Sequence, residues 1–148
     1  MMITAVSGDV TGARRSAKRF VLLLLLLSLL LTACSGVALS ITSFGSKSTI
    51  EANDAEDGKF LESAAFSVGK GKTVAIESAL EKGQLKIEFA RAIVFRDDEM
   101  DQTIVEDVVA SETMGPGDSC EFALEQGDYV MQVTVVGSTS GKVTVNIK

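Results

Sequence analysis

From Lys59 to the C-terminus, apolar side chains recur at every second position between breaks marked by glycine. That period suits a β-strand with one buried face and defeats an amphipathic helix, whose apolar positions recur every three or four residues. Leu85, Ile87 and Phe89 point one way while Gln84, Lys86 and Glu88 point the other. Val74 and Ile76 alternate with Thr73, Ala75 and Glu77, and Ala64, Phe66 and Val68 repeat the pattern. At the end of the chain Val143, Val145 and Ile147 alternate with Lys142, Thr144, Asn146 and Lys148. The runs are separated by Gly69-Lys70-Gly71, Glu81-Lys82-Gly83, Gly115-Pro116-Gly117-Asp118, Glu125-Gln126-Gly127-Asp128 and Ser138-Thr139-Ser140-Gly141. Proline presets φ and glycine accepts positive φ, so each is expected to be a turn. The last should close a C-terminal hairpin of 129–136 against 142–147.

Thr103 to Ala110 is less direct. Ile104, Val105, Val108 and Val109 fit helical spacing, but their β-branching favours a strand. Ala92 to Phe95 is apolar without alternation and runs into an acidic loop, Arg96-Asp97-Asp98-Glu99-Met100-Asp101. The sum is about seven or eight short strands with turns at roughly 8 to 12 residue intervals. The expected fold class is all-β, an antiparallel β-sandwich. Leu124-Glu125-Gln126-Gly127-Asp128-Tyr129 resembles the Leu-x-x-Gly-x-Tyr corner of immunoglobulin-like and fibronectin-type sandwiches. The resemblance implies that the Tyr129 hydroxyl ties the start of its strand to backbone upstream. Jelly-roll sandwiches open strands similarly, so both topologies stay in view.

The N-terminal third has a different character. Arg14, Arg15, Lys18 and Arg19 precede an apolar run, Phe20 to Leu31, which ends in small residues before a cysteine. That is the order of a secretory signal. The uncharged stretch from Phe20 to Leu39 approaches the roughly 20 residues of a bilayer span, but Thr32-Ala33-Cys34-Ser35-Gly36 makes a poor second half. A core helix fits worse, because Val21 to Leu27 is apolar on every side. Ser16-Ala17-Lys18 after the arginine pair does not match a twin-arginine signal. Leu31-Thr32-Ala33-Cys34 resembles the lipobox of bacterial lipoproteins. The resemblance implies a diacylglyceryl group on Cys34, cleavage just before it, and a helical signal peptide over residues 1–33. It implies a place on the extracytoplasmic side of a bacterial membrane, with the bilayer as partner through acylated Cys34; a protein partner in the cell envelope is a separate expectation. Residues 34–48, rich in Ser, Gly and Thr, should form a flexible tether, although Leu39, Ile41 and Phe44 suit a first strand. The sandwich domain is expected over 49–148.

Charge narrows the function classes. The leader holds four of the 14 basic residues and one of the 20 acids, leaving 10 against 19 over residues 34–148, a net charge of −9. Such a surface repels phosphate backbones, so nucleic acid is not an expected partner. The chain has no histidine, which removes Ser-His-Asp and Cys-His nucleophile systems and histidine-ligated zinc. Gly137-Ser138-Thr139-Ser140-Gly141 looks like a nucleophile elbow, but its centre is threonine and it joins strands. With no tryptophan and one tyrosine, the chain is short of platforms for sugar rings.

Cys120, with Cys34 taken by lipid, has no partner in its own chain and is expected to pack with Phe122 and Leu124 as a small hydrophobe. Two acidic stretches invite calcium. Asn53-Asp54-Ala55-Glu56-Asp57-Gly58 sets its glycine as an EF-hand loop does, yet Ala55 and Ala64 fall where ligands are needed. Asp97, Asp98, Glu99 and Asp101 are the denser group and the better metal candidates, though an ordinary acidic turn explains both. The leading expectation is a non-enzymatic binding or envelope-assembly module without catalytic residues or cofactor. The alternative is a lipoprotein that binds a small ligand, calcium or a glycan near Asp97 to Asp101.

Overall fold

The computed structural model describes residues 37–96 and 101–148. Regular structure among them is entirely β: β1 (Leu39–Phe44), β2 (Lys47–Ala55), β3 (Phe60–Glu62), β4 (Phe66–Val68), β5 (Thr73–Arg96), β6 (Asp101–Met114), β7 (Ser119–Ala123) and β8 (Gly127–Ile147). Every pairing is antiparallel. β5 and β8, 24 and 21 residues long, form a central ribbon paired from Val74 opposite Ile147 to Arg91 opposite Tyr129. β2 and β7 flank one half of this ribbon, with β1 outside β2; β3, β4 and β6 flank the other half.

The ribbon is creased at its middle. Its register shifts where Leu80, Lys82 and Gln84 face Gly141, Ser140 and Val136. β2 gives way to β3, and β6 to β7, beside the same line. The sheet therefore doubles over on itself. This corrects two turn expectations. Glu81-Lys82-Gly83 and Ser138-Thr139-Ser140-Gly141 are irregularities inside continuous strands, and 129–136 does not pair with 142–147; each pairs with β5. A matched pair of bulges bends both strands together, and its glycine-rich sequence is the same one a turn would use.

Two glycines show why no other residue serves there. A Cβ on Gly83 would lie 2.2 Å from Thr139 Oγ1, and one on Gly141 would lie 2.6 Å from the Leu80 Cα; both have positive φ, 73° and 121°. Thr139 itself is fully buried. Its hydroxyl accepts from the Gln84 N–H at 3.1 Å and donates to the Gln84 carbonyl at 3.0 Å, replacing ladder bonds lost at the crease.

A large hydrophobic core lies between the layers. Val74, Ile76, Val143 and Val145 from one half join Leu85, Ile87, Phe89, Tyr129, Met131 and Val133 from the other. Phe89 meets Phe122 of β7 edge to face with ring centres 5.6 Å apart, which shows the two layers in contact. The expected faces hold: Val143 and Val145 are buried and Lys142 is exposed, while Ile147, near the chain end, is only half-buried. Thr103 to Ala110 is strand throughout, within β6.

The expected boundary at residue 49 moves toward the N-terminus. Leu39 to Phe44 is β1, paired residue for residue with β2, and Leu39 is buried in the core. The segment reads as a tether because serine, glycine and threonine dominate it; its alternate apolar residues decide the outcome once β2 offers an edge. The signal peptide over 1–33 and the lipidation residue Cys34 lie outside the described residues.

Candidate functional site

Beyond Arg91, β5 outruns its partner β8 and continues to Arg96 accompanied only by β6. The pairs Ala92–Val105, Ile93–Ile104, Val94–Thr103 and Phe95–Gln102 build a two-stranded arm. Alternation dictates its faces. The side of β5 that buries Leu85, Ile87 and Phe89 continues as Arg91, Ile93 and Phe95, past the end of the facing layer. Ile93 and Phe95 are therefore 41% and 49% exposed, and Ile104, directly opposite Ile93, is 51% exposed. The core stripe continues where the core has ended.

A recess opens on each side of the arm's base. On the core side, one of about 310 Å³ is lined by Arg91, Val109, Leu124, Glu125 and Tyr129, with the Arg91 guanidinium paired to the Glu125 carboxylate. On the outer side, a cleft of about 580 Å³ lies among Ala65, Phe66, Ser67, Val94, Thr103 and Asp128, where the Ser67 hydroxyl donates to Asp128. Ala90, Ala92 and Val130 are buried on that side with Ala65 and Val105 packed against them, a small second core that fixes the base of the arm. The edge of β6 is poorly suited to strand addition. Its register shifts twice against β5, between Phe89 and Ala90 and again between Ala90 and Ala92, and it carries exposed Glu106 and Asp107 with a half-buried Glu112.

The residues singled out from sequence fall in several places. Asp97, Asp98 and Glu99 lie outside the described residues, and Asp101 opens β6 opposite Arg96 in the ladder. In the Asn53 to Gly58 stretch, where β2 ends, Asp54 and Asp57 serve the crease. Asp57 Oδ1 accepts from the Gly137 N–H at 2.8 Å, the Asp54 N–H donates to Ser140 Oγ, and Ser140 Oγ donates to Asp54 Oδ1. Hydrogen bonds from Lys82 and Ser140, with the Lys82 charge behind them, hold the Asp54 carboxyl below the usual carboxylate range. No group of three or more metal-ligating side chains converges among the described residues.

Tyr129 is buried, and its hydroxyl donates to the Glu125 carbonyl at 2.9 Å, the bond that the Leu-x-x-Gly-x-Tyr resemblance implies. Thr139, centre of the apparent elbow, is a crease residue. Cys120 is half-buried against the core, its Sγ donating to Met114 Sδ at 3.9 Å. Burial pushes its thiol pKa up, and the charges of Glu112 and Asp118 push the same way.

The arm is what sequence reasoning missed. Ala92 to Phe95 reads as unpatterned, yet Ile93 and Phe95 extend the odd-numbered row of Leu85, Ile87 and Phe89 once Arg91 is allowed as a break.

No protein-family model and no curated protein matches the chain. Among solved structures it is similar to the Drosophila melanogaster CENP-C cupin domain, at 7% identity and a TM-score of 0.34, over 74% of this chain and 70% of that one. It is likewise similar to Drosophila melanogaster CENP-C bound to CAL1, at 9% identity and a TM-score of 0.32, over 74% and 81% of the two chains. Likenesses at this level assign neither family nor function.

Proposed function

We propose that the protein is a lipoprotein of the bacterial cell envelope, anchored through acylated Cys34, whose β domain is a non-enzymatic binding or assembly module. The observation that carries the binding role is the arm: Ile93, Phe95 and Ile104 stand half exposed on a two-stranded extension, where a purely structural domain gains nothing from them. The Leu31-Thr32-Ala33-Cys34 sequence supports the anchor, and β1 beginning at Leu39 leaves only a few residues between lipid and domain. A net charge of −9 over residues 34–148 keeps the domain off anionic headgroups. Two acyl chains give stable attachment where one gives marginal binding.

Cys34→Ser tests the anchor. The variant is expected to accumulate as an uncleaved precursor without lipid. Mature-length protein in the membrane fraction of that variant would overturn the reading.

A further inference from the structure

We propose that the core-side face of the arm, with the recess at its base, docks a segment of another protein that presents apolar side chains flanked by lysine or arginine. The proposal rests on the reading of the domain as a binding module and is independent of the anchor. Ile93, Phe95 and Ile104 form one continuous apolar patch, and the recess beside Arg91 extends it with Val109 and Leu124. A small cluster of apolar side chains beside a pocket has the anatomy of an interface hot spot.

Charge selects the occupant. Residues 34–148 carry −9, and none of the five ion pairs among the described residues involves β6, which bears Glu106, Asp107 and Glu112. Arg91, the cation of the recess, is already paired with Glu125. A second copy would bring the same negative field against itself, and the register shifts of β6 oppose strand-to-strand pairing between copies. Anionic lipid is repelled in the same way. A cationic partner alone gains from both the apolar patch and the field around it.

The test is fluorescence anisotropy with the full chain and a short labelled peptide of alternating leucine and lysine, against serine–lysine and leucine–glutamate peptides of equal length. The leucine–lysine peptide is expected to bind best. Ile93→Ser with Phe95→Ser should weaken it roughly tenfold or more, the loss that about 1.4 kcal/mol of apolar burial represents. Phe60→Ser, at an exposed site on β3, should leave binding unchanged. Phe95→Lys should weaken binding too, through lost contact and like charge, and gives a second reading should the double variant unfold. Equal binding of the serine–lysine peptide, or undiminished binding to both arm variants, would overturn the proposal. So would a wild-type dimer in sedimentation that Phe95→Lys abolishes, which assigns the patch to a second copy. Quenching of Phe95→Trp, otherwise a tryptophan-free chain, by brominated phosphatidylcholine would assign the patch to the bilayer instead. Peptide binding by a chain that proves unlipidated would retire the anchor and leave the docking surface standing.

Discussion

Thr139→Val removes one hydroxyl from the crease and almost nothing else, since valine matches threonine in shape. The hydroxyl now satisfies both the N–H and the carbonyl of Gln84, at 3.1 and 3.0 Å. Each such bond contributes about 1 kcal/mol net, and a buried group left without a partner costs about 1–3 kcal/mol. Gln84 itself is an exposed residue, so water reaches part of its backbone and the lower end of that range applies. The expected loss is about 2 kcal/mol, a large share of the roughly 5–15 kcal/mol that holds a domain of this size. Thr139→Ser keeps the hydroxyl and deletes a buried methyl group, for about 1 kcal/mol. Urea unfolding followed by circular dichroism measures both, and an unchanged denaturant slope would show that the comparison is one of stability alone. Gly83→Ala sets the upper bound, because its Cβ meets Thr139 Oγ1 at 2.2 Å and the Ser138 carbonyl at 2.5 Å, with φ at +73°. It should cost more than about 3 kcal/mol through clash and strained backbone together. A Thr139→Val protein within about 0.5 kcal/mol of wild type, or a serine variant weaker than the valine one, would refute the bridging role.

Other substitutions test the core and its margins. Val145→Ala, at a buried position facing the opposite layer, should cost roughly 1–3 kcal/mol, and Thr144→Ala, on the other face of the same strand, well under 1 kcal/mol by the same urea assay. Tyr129→Phe should cost about 1 kcal/mol for the bond to the Glu125 carbonyl, read by the same urea assay. Cys120 should react with iodoacetamide more slowly in the folded chain than in urea at the same pH, because burial raises its thiol pKa and shields its sulfur; equal rates would contradict that packing.

The strands were legible because alternation is a local property of the chain: Leu85-Ile87-Phe89 and Val143-Val145 each declare a buried face within a few residues. The corner at Tyr129 was legible because its spacing to Leu124 and Gly127 is fixed by the bond it makes. The crease was not. A glycine with positive φ between two alternating runs serves a hairpin and a bulge equally, and only the partner strand, more than fifty residues away for Leu80 and Gly141, tells them apart. The arm was hidden for a related reason. Whether Ile93 and Phe95 are buried depends on where the facing layer ends, and nothing near residue 93 records that. The acidic stretch at Asn53 to Gly58 suggested a cation by composition, whereas Asp57 and Asp54 take backbone and hydroxyl donors that the crease supplies.

The proposed anchor is tested most directly by the intact mass of the protein extracted from the membranes of its host. The expected species begins at Cys34 and carries the added mass of a diacylglyceryl group on that residue. A chain that retains residues 1–33, or one that begins elsewhere without lipid, would contradict it.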